Sequence, residues 1–217
     1  MAITDRGRPD GGSPGGLDRL VEHAARAAEA GVTLIQVRER GCDDRTLCAV
    51  VSRILDALSS RATRVLVNER ADIALACGAH GVHLPSEGLP AARVRSIVPP
   101  GFLIGRSVHT EAEARSVDEA GGCDYLVFGT VFETSSKPAG HDVAGLPALE
   151  AVCAAVRLPV LAIGGVSTDR FVSIAGAGAA GVAAIRLFAD GSVEALSRIV
   201  EQLNAAWRHA GSKMVRD

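Results

Sequence analysis

Short runs of aliphatic and β-branched residues alternate along this chain with longer stretches whose apolar positions recur every three or four residues. Seven runs have the length and make-up of buried parallel strands: Thr33 to Val37, Arg64 to Asn68, Gly81 to Leu84, Phe102 to Arg106, Tyr125 to Gly129, Pro159 to Ile163 and Gly181 to Ile185. A very short run, Ala2-Ile-Thr-Asp5, precedes them. The intervening stretches predict helices over 17–30, 43–58, 71–77, 89–98, 149–155, 168–175 and 193–209. Asp43 and Asp44 stand where a helix N-cap is wanted, and Thr110-Glu-Ala-Glu113 is a capping-box pattern opening a further helix. Two loops are long, a Gly/Pro-rich one over 7–16 and a polar one over 130–144.

Eight strand–helix units with short connections predict an α/β chain folded as a single (β/α)8 barrel over residues 1–210, with 211–217 as a frayed tail. The competing architecture is an open doubly wound sheet. No strand here runs into the Gly-x-Gly-x-x-Gly turn expected of that fold.

Composition narrows the class further. Aromatic residues make up only 3%, so Ala, Val, Leu and Gly must fill the layers between strands and helices, as a covered parallel sheet allows. The 23 basic and 25 acidic residues are scattered, with no basic stripe interleaved with aromatics, which argues against a nucleic-acid partner. No apolar run reaches membrane-spanning length and no leader pattern opens the chain, so the expectation is a cytoplasmic protein with no membrane partner. Cys42, Cys48, Cys77, Cys123 and Cys153 show no Cys-x-x-Cys spacing and read as small packed thiols. No pair of histidines has metal-ligand spacing.

In a (β/α)8 barrel, chemistry belongs to the carboxyl ends of the strands. Those ends carry Gln36, Arg38 and Arg40; Asn68 and Glu69; His83, Ser86 and Glu87; Arg106, Ser107 and His109; Thr130, Glu133, Thr134, Ser136 and Lys137; Gly164 and Gly165; and Ile185 and Arg186. Water-facing loops explain a polar residue or two each, but not this excess of Arg, Lys, Ser, Thr and Gly. Ile163-Gly-Gly-Val166 falls where barrels cradle phosphate on backbone N–H groups. Arg38 and Arg40 share one side in extended geometry and suit a polyanion. His83 and His109 are the acid–base candidates; His141, in the long loop, is ambiguous.

Seven motifs then occur in order: Gln36-Val-Arg-Glu-Arg40, Val67-Asn-Glu-Arg70, Gly81-Val-His-Leu84, Ile104-Gly-Arg-Ser-Val-His109, Asp124-Tyr-Leu-Val-Phe-Gly129, Thr134-Ser-Ser-Lys137 and Ala162-Ile-Gly-Gly-Val166. Together they resemble the thiamin phosphate synthase/TenI superfamily from residue 2 to about residue 207. For a synthase the resemblance implies coupling of a hydroxymethylpyrimidine diphosphate to a thiazole phosphate, with Mg²⁺ on the departing diphosphate. Gln36, Arg38, Arg40, Asn68 and Lys137 would hold the diphosphate and pyrimidine; Ser107, Thr134, Ser136, Gly164 and Gly165 would contact the pyrimidine or the thiazole phosphate.

The chain departs from that pattern at several places. Glu69 stands at the first metal-binding aspartate and Gly88, with Glu87 beside it, at the second; Arg40 replaces a lysine and Arg186 a serine. His83-Leu-Pro-Ser86, Gly105-Arg-Ser-Val-His109 and Phe128-Gly-Thr-Val-Phe-Glu-Thr134 look more like the TenI branch, thiazole tautomerases that need no metal or other cofactor. The tautomerase histidine would fall at Thr130, leaving His109 and then His83 as replacements. The expectation is therefore a TenI-like thiazole tautomerase whose partner is a small phosphorylated thiazole. A synthase using Mg²⁺ through Glu69 or Glu87 is the alternative, and a non-catalytic ligand-binding protein the third reading. Homo-oligomer formation is left open.

Overall fold

The computed structural model describes residues 1–5, 16–134, 140–189 and 191–214. Eight strands form one parallel sheet in sequence order: β1 (Ala2–Ile3), β2 (Leu34–Val37), β3 (Arg64–Asn68), β4 (Gly81–Leu84), β5 (Leu103–Val108), β6 (Tyr125–Phe128), β7 (Val160–Ile163) and β8 (Gly181–Ala183). The sheet curls until its edges meet. Ala2 pairs in parallel with Ala184, with Ile3 N–H donating to the Ala184 carbonyl at 3.0 Å and Ala184 N–H to the Met1 carbonyl at 3.0 Å. The chain is a (β/α)8 barrel, as the alternation of elements predicts.

Among the described residues eight α-helices cover the outside: α1 (Gly16–Glu29), α2 (Asp44–Ala57), α3 (Ala71–Ala76), α4 (Ala91–Arg95), α5 (Glu111–Ala120), α6 (Gly145–Ala155), α7 (Phe171–Gly176) and α8 (Val193–Met214). On α2 the buried residues are Leu47, Val50, Val51 and Ile54, the three-and-four spacing that lays one apolar stripe on the wall. Asp43 caps this helix by accepting from Thr46 N–H at 2.8 Å. On α5 both halves of the capping box form, Glu113 N–H to Thr110 Oγ1 at 3.1 Å and Thr110 N–H to Glu113 Oε2 at 3.3 Å. No described helix is long and apolar enough to cross a membrane. All five cysteines are half-buried.

Boundaries differ where local rules compete. Helix α4 is five residues long rather than the ten of 89–98. Pro90 lacks an N–H and disfavours helical geometry at Leu89, so the helix cannot begin earlier. Helix α6 starts at Gly145, not 149, because Pro147 sits in its first turn, where a missing N–H costs nothing. Strand β8 stops at Ala183 instead of Ile185, since Ala184 is spent on closing the barrel and the chain then enters a 3₁₀ turn over Arg186–Phe188. Helix α8 continues to Met214, so the tail expected to be frayed is helical over residues 211–214.

Strand alternation divides the core in two. Outward positions such as Val65, Val67, Val82, Ile104, Leu126 and Ala162 pack under the helices. Inward positions form a separate small cluster, with Met1, Ile3, Leu66, Tyr125, Val127 and Ala183 at its centre. Gly105 makes room for the one tyrosine: a Cβ there would lie 2.0 Å from Tyr125 Cζ. That ring is stacked on His83, with centroids 5.7 Å apart, and cannot withdraw. Gly105→Ala is therefore expected to cost about 1–3 kcal/mol in urea unfolding. In a double-mutant cycle with Tyr125→Leu the two losses should be less than additive. Strict additivity would show that the ring is not what fills the space.

Candidate functional site

Toward the carboxyl ends of the strands the barrel interior changes from apolar to polar. The inward series ends in Gln36 on β2, Asn68 on β3, His83 on β4 and Ser107 on β5, which the register places around one side of the mouth. Gln36 is only 2% exposed and donates from Nε2 to Asn68 Oδ1 at 2.8 Å. Its Oε1 is buried without a hydrogen-bond partner among the described residues. A buried acceptor left unmatched costs stability of order 1–3 kcal/mol, and a ligand donor would recover it.

His83, 3% exposed, is held at both nitrogens, by Tyr125 Oη at 3.1 Å from Nδ1 and by Ser107 Oγ at 2.9 Å from Nε2. Burial, aided by the positive Arg38 nearby, lowers its pKa to about 4. The imidazole is thus neutral near pH 7 and positions Ser107 and Tyr125. Burial likewise holds the Tyr125 phenol well above its ordinary pKa.

Arg38 follows β2 and is half-buried; burial first, then the neighbouring Arg40, lowers its pKa from the ordinary guanidinium value. A second layer seats it. Thr4 Oγ1 accepts from Arg38 N–H at 3.0 Å and itself donates to Glu39, a carboxylate only 6% exposed. Arg40 is exposed. The two guanidinium groups are close enough to repel one another, so an anion between them relieves the repulsion.

On the other side of the mouth His109 Nδ1 meets the Gly129 carbonyl at 2.6 Å. A carbonyl only accepts, so Nδ1 carries the proton and Nε2 is the basic nitrogen. Thr130, 9% exposed, contacts His141 Nε2 through its hydroxyl at 3.2 Å. The neck of this loop is fastened by Ala144 N–H to the Thr130 carbonyl at 2.9 Å and Gly145 N–H to the Val131 carbonyl at 3.1 Å. Those two bonds bring His141 back to the strand end. A sequence spacing of eleven residues gave no sign of this.

Gly164 and Gly165 have positive φ angles of 97° and 61°. A Cβ at Gly164 would lie 2.5 Å from Thr130 Cγ2, and one at Gly165 2.4 Å from the Glu133 carbonyl, so neither position accepts a side chain. Their carbonyls are engaged, Gly164 O by Phe132 N–H at 3.1 Å and Gly165 O by Arg170 at 2.6 Å. Thr134 is half-buried and directly follows Glu133, whose carbonyl packs against Gly165; Ser136 and Lys137 lie outside the described residues. Ile185 belongs to the interior cluster, and Arg186 is exposed on the 3₁₀ turn that follows it.

Arg106 departs from the strand-end reading. It alternates with the inward Gly105 and Ser107 and so lies outside the wall. It lines, with Ser86, Ser107 and α5, a cavity of about 370 Å³. For Mg²⁺ the donor set is poor. Glu69 follows Asn68 with φ 64°, Glu87 is exposed, Gly88 offers no side-chain oxygen, and no three His, Cys, Asp or Glu side chains converge among the described residues. These residues do not build a metal site.

A (β/α)8 barrel with a polar, cation-bearing mouth over a packed interior defines the class of small-molecule barrel enzymes. The chain belongs to the family described as Thiamine monophosphate synthase, which it matches over residues 1–188. It is similar to the thiamine-phosphate synthase of Methanoculleus marisnigri, 39% identical over 87% of this chain and 89% of that one. The corresponding protein of Chlorobium luteolum is 38% identical over 74% and 75% of the two chains. In structure it resembles the thiamine phosphate pyrophosphorylase of Pyrococcus furiosus, with a TM-score of 0.78 and 29% identity over 96% of this chain and 95% of that one. These relatives carry the synthase name, so the expected placement in the tautomerase branch is not what they support.

The buried His83 gives a pH test. Its folded pKa of about 4 lies below the unfolded value of 6.5, so the unfolded chain binds the extra proton in between. The stability it lends is present above 6.5 and is lost as pH falls toward 4, by roughly 3 kcal/mol at about 1.4 kcal/mol per unit. Urea unfolding near pH 7 and near pH 4.5 should show a steeper acid loss for the native chain than for His83→Gln. Equal losses would mean that another group senses the acid.

Proposed function

We propose that the chain is a thiamine-phosphate synthase, joining a hydroxymethylpyrimidine diphosphate to a thiazole phosphate. The bond from the pyrimidine methylene carbon to the diphosphate oxygen breaks, and diphosphate leaves with the electron pair. The thiazole nitrogen then donates its lone pair to the same carbon, forming the C–N bond. This chemistry calls for an anion seat and for acceptors facing an electron-poor ring, with no proton removed at the bond-forming nitrogen.

The observation that carries the reading is the unmatched, buried Gln36 Oε1 beside the half-buried Arg38. The amide oxygen suits an N–H of the pyrimidine and the partial positive charge of its methylene in the transition state. Arg38 and Arg40 take the leaving diphosphate, whose charge grows as the bond breaks. Ser107, held by His83, and Asn68, held by Gln36, set the plane of the pyrimidine. Gly164, Gly165 and Thr134, with Ser136 from the sequence, receive the thiazole phosphate, and Lys137 joins the two arginines on the diphosphate. Preorganisation is what Gln36, Asn68 and Ser107 supply, because each is already fixed by a neighbour.

Product analysis with both substrates should show thiamin phosphate and one equivalent of diphosphate. Arg38→Met and Gln36→Leu should each lower kcat/KM by about 10²-fold while leaving thermal unfolding near the native value. No product at high enzyme with Mg²⁺ supplied would remove the synthase reading.

One contact favours a second reading. His141 places an imidazole on Thr130, the position where the resemblance puts a tautomerase base, and His109 offers a basic Nε2 nearby. A tautomerase moves a proton along the thiazole phosphate carboxylate and should work in EDTA. His141→Ala or His109→Ala should then slow that isomerisation by about 10²-fold. Binding of thiazole phosphate by calorimetry with neither reaction would point to the non-catalytic reading.

A further inference from the structure

The turn between β4 and α4 is where the resemblance expects a second metal-binding carboxylate, and its construction forbids one. It is closed by Gly88 N–H donating to the Pro85 carbonyl at 3.0 Å. A Cβ at Gly88 would sit 2.9 Å from Pro85 Cδ and 3.1 Å from the Pro85 carbonyl oxygen. Any side chain there needs the turn to open.

A guanidinium opposes that opening. From outside the barrel wall Arg106 donates through Nη2 to the Ser86 carbonyl at 2.6 Å and to the Gly88 carbonyl at 3.3 Å, and through Nη1 to the Leu89 carbonyl at 2.8 Å. Three carbonyls from four consecutive residues converge on one fixed positive charge. Carbonyl oxygens are also what a hard divalent ion would seek, and a planar fork of donors matches several of them at once. The strand holds the fork rigid, since Gly105 and Ser107 on either side of Arg106 are locked against Tyr125 and His83.

We propose that Arg106 is the organising cation of the β4–α4 turn, and that the free protein holds no divalent-cation site there. Arg106 is a positioning residue: it acts on the mouth through the turn. The proposal deepens the synthase reading, because this turn would then contribute no ligand to any metal that the reaction uses. Its readout is ion binding by the free chain, which stands whether or not thiamin phosphate is formed.

Mn²⁺ titration of the full chain, followed by electron paramagnetic resonance without substrate, is the test. The native chain and Gly88→Asp should show no saturable binding below about 1 mM. Gly88→Asp combined with Arg106→Gln frees the turn and should bind Mn²⁺ at least about tenfold more tightly than Gly88→Asp alone. Should that double variant fail to fold, Gly88→Asp with Arg106→Lys replaces it, a point charge being unable to span three carbonyls. Micromolar binding by the native chain, weakened by Glu69→Gln or Glu87→Gln, would overturn the proposal. So would micromolar binding by Gly88→Asp alone, or a folded double variant that gains nothing.

Discussion

A neutral imidazole joins the two halves of this barrel. His83 rests on Tyr125 below and holds Ser107 beside it, so one ring spans β4, β5 and β6 where the aliphatic filling gives way to the polar mouth. Its burial keeps it uncharged, and being uncharged it can donate on one side and accept on the other. A protonated ring would offer two donors and repel Arg38. The geometry of the strand ends therefore depends on a proton being absent from a site nearly closed to solvent.

The cationic side of the mouth has its own support. Glu39 and Thr4 are buried at the seam where β1 meets β2; Thr4 fixes the backbone of Arg38, and the negative charges of Asp5 and Glu39 offset its head group by less than burial and Arg40 oppose it. The charge is kept available while its position is settled, which is how binding energy is directed to an anion instead of being used up inside the protein.

Much of this was legible in the chain alone. β3 and β4 fall where the aliphatic runs lie, the Thr110 capping box forms, and the alternation of elements led directly to a closed barrel. Short-range rules suffice there, because each segment obeys one rule at a time. They fail where rules compete: prolines reset the starts of α4 and α6, and barrel closure consumed the end of β8. The site was readable as a set of strand ends but not as a set of directions. Arg106 looked like a mouth residue until alternation on an extended β5 turned it outward. The contact of His141 with Thr130 depends on a loop folding back on itself, and no periodicity encodes that.

That loop is stitched at its base by two main-chain bonds, from Ala144 and Gly145 back to Thr130 and Val131. Main-chain stitches do not care which side chains lie between them. Exchanges along the span they enclose leave β6 and α6 in place so long as Phe132 and Glu133 keep their contacts with Gly164 and Gly165, much as a hem lets fabric be exchanged without recutting the garment. A barrel of this design can explore new substrates at one edge of its rim at little risk to the wall beneath.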